Sequence, residues 1–218
     1  MDARAPVNPR TLLTSLGLGF GVAGLLLQFI LSMQMAFANG RDILGFLGHF
    51  FAYYTILTNM VLVLIYLSEV LTAPGLNLFR HPVLRGLMTA NIALVALYVF
   101  FVLRFLSAQE NLLLLADTIL HYLCPVLYLL WWLLQPHGKL RWSGLPMMLA
   151  PTLAYFVYVL ARGAWVQEYP YPFMNAIKLG YGAVLQGALL MAAALAVLSA
   201  IIIGLDHLLG RSRTAVDA

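Results

Sequence analysis

Six long runs of apolar sequence constrain this chain more than any motif within it. A bilayer's hydrocarbon core is about 30 Å thick, and a helix rising 1.5 Å per residue needs about 20 apolar residues to cross it. Runs at 11–37, 43–71, 83–106, 112–134, 145–162 and 178–205 meet that length. Only 9% of the 218 residues are charged and 63% are hydrophobic, with a mean hydropathy of +0.92. A water-soluble domain carries about 25% charged residues, so this chain lacks the polar surface such a domain needs. The expected fold is all-α: a polytopic membrane protein with a bundle of six transmembrane helices. One membrane domain, 11–205, is expected between tails at 1–10 and 206–218.

The connections carry the expected breakers: Asn39-Gly40, Pro74-Gly75 and Pro82, Pro136 with Gly138, and the stretch Tyr169-Pro170-Tyr171-Pro172-Phe173. Lysine and arginine are distributed unequally between the two sides. Arg4, Arg10, Arg80, Arg85, Lys139, Arg141, Arg211 and Arg213 fall on one side, and Arg41, Arg104, Arg162 and Lys178 on the other. The positive-inside rule then puts both termini in the cytoplasm. The basic residues form no patch interleaved with aromatics, so nucleic acid is not an expected partner. Cys124 is the single cysteine, which excludes an internal disulfide. Gly17 and Gly21 form a GxxxG pair suited to close helix packing. Trp131, Trp132, Trp142 and Trp165 are expected as anchors at the membrane interfaces.

Polar groups at membrane depth are costly, and each needs a reason. The candidates are His49, Thr55, Thr58, Asn59, Asn91, Asp117 and His121, with Gln28 as a weaker member. Asp117 and His121 stand four apart and share a helical face. Pro125, four further on, denies the His121 carbonyl its helical partner and predicts a kink. An Asp that accepts a His N–H fixes the ring's tautomer, as a general base requires. A buried network that pins helix packing would use the same residues. Thr55 and Asn59 also share a face, although a transmembrane Thr ordinarily bonds back to its own helix. In a continuous second helix Thr55 lies about 18 Å deep, and His121 about 14 Å deep in the fourth. The two could therefore meet. Cys124, three residues from His121, is expected to be an inert buried thiol.

Three segments together resemble a known family: Phe51-Ala-Tyr-Tyr-Thr55-Ile-Leu-Thr-Asn59, Asp117-Thr-Ile-Leu-His121-Tyr-Leu-Cys-Pro125, and Trp165-Val-Gln-Glu-Tyr-Pro-Tyr-Pro-Phe173. Their order and six-helix setting are similar to the androgen-induced-protein family of multi-pass membrane proteins, in its bacterial Pr-six-Pr branch. The resemblance spans about residues 10 to 205. It implies a threonine hydrolase that cleaves fatty acid esters of hydroxy fatty acids or similar lipids. It places the nucleophile at Thr55, its histidine partner at His121, and the family's Trp…Tyr-Pro-Phe motif at Trp165, Tyr171, Pro172 and Phe173. The His-to-Pro spacing is slightly shorter here than in the animal members.

The expected function is therefore intramembrane lipid ester hydrolysis. Thr55 attacks, His121 takes its proton, Asp117 orients the ring and Asn59 serves as an oxyanion donor. Expected partners are membrane lipids and a lipid-like substrate, with no cofactor and no metal. A bacterial inner membrane is the expected location. A non-enzymatic transporter or lipid-binding protein could use the same polar groups. Haem ligation by His49 and His121 is a more remote alternative.

Overall fold

The computed structural model describes residues 8–106 and 109–216, with side chains described through residue 211. Arg4, in the expected N-terminal tail, and the Arg213 side chain lie outside the described residues. Among the described residues there are eight α-helices and no strand. They are α1 (Pro9–Ala38), α2 (Ile43–Phe50), α3 (Tyr54–Val70), α4 (Pro82–Phe101), α5 (Asn111–Thr118), α6 (Cys124–Leu133), α7 (Leu145–Val166) and α8 (Ala176–Val216). A π-helical turn, Ile119–Leu123, joins α5 to α6. Five helices are long and apolar enough to cross a membrane, and α2 and α3, bent by 77° at their junction, make a sixth candidate span when counted together. The protein is an all-α polytopic membrane protein.

Local chemistry sets the helix ends. Asn8 caps α1 by accepting the Arg10 N–H at 2.9 Å, and Pro9 occupies the first turn, where its missing N–H costs nothing. Gly40 follows α1 with φ 73°, a left-handed conformation that lets the chain turn sharply into α2. Asp42 then caps α2 by accepting the Gly45 N–H at 2.7 Å. The last helix breaks at Gly180 (φ 77°) and continues to Val216, past the expected end near 205.

The glycines of α1 do what their spacing predicts. A Cβ on Gly17 would lie 2.2 Å from the Tyr66 ring, and one on Gly21 would lie 2.7 Å from Val63, so α1 sits directly against α3. Tyr66, Tyr128 and Trp131 form the centre of the core with Leu62, Ile65 and Ile203. This corrects one expectation. Trp131 and Trp132 are buried in the core, not at an interface. Trp131 donates its indole N–H to Thr14 at 2.9 Å. Trp142 and Trp165 are exposed, in keeping with the anchor role.

Charged groups gather at the two ends. At one end Glu69 pairs with Arg10 and with Arg85 (2.5 Å), while Asp206 holds His137 at 3.1 Å and the Leu140 N–H at 2.8 Å. At the other end Glu168 receives Arg41 through two bonds of 2.7 and 3.0 Å. His49 lies 3.1 Å and Arg162 3.4 Å from the same carboxylate. The Arg41 hydrogen bond is the main reason the Glu168 carboxyl sits below the ordinary carboxylate range, and Arg41 is pushed up in return. This clamp ties the α1–α2 connection to the segment before α8.

Candidate functional site

The break between α2 and α3 decides what Thr55 can do. A Thr inside a helix bonds back to the carbonyl three or four residues earlier. Thr58 does so, donating to the Tyr54 carbonyl at 2.9 Å. Thr55 is the second residue of α3, so its corresponding positions, Phe51 and Ala52, lie outside the helix. The Ala52 carbonyl is already taken by the Tyr155 hydroxyl at 2.8 Å. Thr55 Oγ1 instead lies 2.9 Å from His121 Nε2. The continuous-helix depth of 18 Å for Thr55 is thereby corrected. Eight of the residues counted belong to α2 and run at 77° to the rest. Thr55 opens α3 and does not lie at the middle of a long helix.

His121 sits in the π turn, and its Nδ1 lies 2.9 Å from Asp117 Oδ1. Nδ1 also lies 3.2 Å from the Asp117 backbone carbonyl, which can only accept, so its surroundings suit the neutral tautomer with the proton on Nδ1. In that tautomer Nε2 carries the lone pair and accepts from the Thr55 hydroxyl. The chain Thr55–His121–Asp117 has the polarity of a nucleophile, a base and an orienting acid. All three side chains line one cavity.

Asn59 has a different place from the one expected. Its amide donates to the Thr55 carbonyl at 2.9 Å and to the Leu120 carbonyl at 3.2 Å, leaving no hydrogen for an oxyanion. The reason lies in Pro125. At the end of the π turn the Cys124 N–H reaches back five residues, to the Ile119 carbonyl. The next bond would run from residue 125 to Leu120, but a proline has no N–H. The Leu120 carbonyl is thus left without that backbone partner, and Asn59 satisfies it across the helix interface. A π turn stands just before the proline at which a kink was expected, and it carries His121, whose ring reaches Thr55 of α3.

The cavity holding the three groups has a volume of about 630 Å³. Its walls include Gln28 and Ser32 of α1, His49 and Tyr53, and Arg41 and Arg104 towards the Glu168 end. A second, apolar slot of about 40 Å³ also borders Thr55, lined by Leu94, Val95, Tyr98, Phe156 and Met191 among others. Thr55, Val99, Leu103 and Tyr171 border both spaces. Tyr171 was singled out only through the family resemblance. Its hydroxyl accepts the Tyr54 N–H at 3.1 Å and so holds the first turn of α3. No local signal marks that contact, because it joins residues 117 apart.

The other polar candidates are not brought to this chain of three. Asn91 bonds Tyr54 and Thr152 at 2.5 and 2.6 Å, a packing network. His49 lies between Glu168 and the Tyr53 hydroxyl. Gln28 donates to Ser32 at 2.9 Å on the cavity wall. Cys124 is buried beside the π turn. Among the described residues no three His, Cys, Asp or Glu side chains converge as a metal site would require. A scan against protein-family models and searches of curated proteins and of solved structures all return no match to this chain.

Proposed function

We propose that this protein is a membrane-embedded ester hydrolase with a threonine nucleophile. Its substrates would be lipid esters of the kind that the family resemblance implies, fatty acid esters of hydroxy fatty acids or similar lipids. The observation that carries the reading is the hydrogen-bonded chain from Thr55 through His121 to Asp117, open to a cavity of about 630 Å³. A threonine hydroxyl is a weak nucleophile at neutral pH and needs a base within hydrogen-bond reach. At 2.9 Å His121 is within that reach, and Asp117 stabilises the imidazolium that forms. The Thr55 Oγ–acyl bond forms as the proton passes to His121. The ester C–O bond breaks as His121 returns that proton to the departing alkoxide. Water, deprotonated by the same histidine, then releases the acid and restores Thr55.

Turnover of a lipid ester by the purified protein tests this. Thr55→Ala and His121→Ala should each lower turnover by about 10²–10⁴, and the double variant should be no worse than either single. Thr58→Ala should remain active, since that hydroxyl only bonds its own helix. Folded Thr55→Ala with full turnover would contradict the mechanism. Lipid flux in liposomes without product would favour the transporter or lipid-binding reading. We further propose a bacterial inner membrane as the location, with both termini cytoplasmic. Cysteines introduced at Asn39, Gln109 and Gln167 should then react with an impermeant reagent on intact cells, and those at Asn8, Asn77 and Gly138 should not.

A further inference from the structure

We infer that Tyr171 is the oxyanion donor of this site, its phenolic O–H bonding the acyl oxygen as Thr55 adds to the ester carbon. This rests on the hydrolase reading and assigns a group that the reaction requires. When the Thr55 Oγ–acyl bond forms, the carbonyl π bond breaks and its electron pair moves onto the acyl oxygen. That charge needs a hydrogen-bond donor held in place beside the nucleophile. When the ester C–O bond breaks, the carbonyl re-forms, and the donor keeps its proton throughout. Asn59 cannot serve, because its amide hydrogens are bonded to the Thr55 and Leu120 carbonyls. Gln28 and Asn39 bond within α1, and Glu168 holds Arg41.

Tyr171 lines the same cavity as Thr55 and His121. Its hydroxyl oxygen accepts the N–H of Tyr54, the residue next to the nucleophile, at 3.1 Å. That bond uses a lone pair and leaves the phenolic proton for another acceptor, towards which the hydroxyl can rotate. Accepting an N–H also polarises the O–H and strengthens it as a donor. Burial pushes the Tyr171 phenol up, so it carries its proton at neutral pH, as a donor must. The Thr55 side chain and the Thr55 N–H act on the phenol against burial, which puts nucleophile and phenol side by side. The ring is fixed edge-on to Tyr53 at 5.5 Å and stacked on Phe173 at 5.3 Å. A donor held in this way needs no reorganisation as the charge develops.

The test is turnover of a palmitate ester of hydroxystearic acid by the full-length protein in lipid micelles. Tyr171→Phe should lower kcat by about 10²–10³ and leave KM within about threefold of the wild type. A long-chain trifluoromethyl ketone, which Thr55 converts to a hemiketal oxyanion, should bind more weakly to Tyr171→Phe by a similar factor. Tyr171→Phe also removes the acceptor of the Tyr54 N–H, so two further replacements separate donating from positioning. Tyr171→4-methoxyphenylalanine keeps the oxygen and removes the proton, and it should be as slow as Tyr171→Phe. Tyr171→4-aminophenylalanine supplies an N–H donor at the same place and should recover kcat by about tenfold or more. If Tyr171→Phe does not fold, the comparison of the amino with the methoxy variant carries the test. A Tyr171→Phe kcat within about threefold of the wild type overturns the assignment. So does recovery in the methoxy variant, or an amino variant no faster than the methoxy one. Turnover that persists in Thr55→Ala overturns the hydrolase reading instead, which is a separate result.

Discussion

Asn59 and Pro125 should be energetically coupled although they lie on different helices. Asn59→Leu keeps the approximate shape and removes both amide donors. The Thr55 carbonyl keeps the Thr58 hydroxyl at 3.1 Å, so its loss is modest. The Leu120 carbonyl, on a residue 1% exposed, is left with neither the amide nor a backbone partner. Stranding a buried carbonyl costs about 1–3 kcal/mol. The Asn59 Oδ1 atom is itself buried without a hydrogen-bond partner, so its removal recovers part of that. A net destabilisation of about 1–2 kcal/mol follows. Pro125→Ala restores an N–H at the position that the π turn needs to reach Leu120. In that background Asn59→Leu should cost less, with a coupling of about 1 kcal/mol. Equilibrium unfolding of the wild type, both singles and the double variant in mixed micelles measures it. Effects that add to within about 0.3–0.5 kcal/mol would refute the assignment of the Leu120 carbonyl as the orphan.

The Glu168 clamp should make stability depend on pH. Its carboxyl is depressed in the folded state, so its contribution is complete above the ordinary carboxylate pKa. It is lost as pH falls through the folded value. Melting temperatures of wild type and Glu168→Gln should therefore differ at neutral pH and converge in acid, and a constant gap would show that the charge is irrelevant. Gly17→Ala should destabilise by about 1–3 kcal/mol because the new methyl meets the Tyr66 ring. Gly19→Ala, with nothing within 4 Å, should be neutral or stabilising, and thermal unfolding in detergent separates the two.

The six runs, most of their ends and the glycine stripe were legible in the sequence because each depends on local composition; the last helix, which runs on to Val216, was not. The pairing of Thr55 with His121 and the Asp117 contact were also expected, from helical spacing and from resemblance. Three features were not readable. The bend after Phe50 carries neither proline nor glycine at the break, and it is fixed by distant partners, Tyr155 on Ala52 and Tyr171 on Tyr54. The π turn needs both the missing N–H of Pro125 and a donor from another helix, so a single segment could predict only a kink. Asn59 looked available because sequence spacing says nothing about which carbonyls a neighbouring helix leaves bare. Trp131 and Trp132 were misplaced for a related reason. Hydropathy locates the end of a span, not which of its faces turns inwards.

The most direct test of Thr55 as an activated nucleophile is to find the covalent adduct. The purified protein is treated with a lipid-like fluorophosphonate and digested, and the modified peptide is sequenced by mass spectrometry. The adduct should fall on Thr55, be lost in Thr55→Ala, and be strongly reduced in His121→Ala, where the imidazole base at 2.9 Å is gone. Thr55→Ser should retain it, since the hydroxyl remains. An adduct on another residue, or undiminished labelling of folded Thr55→Ala, would contradict the assignment.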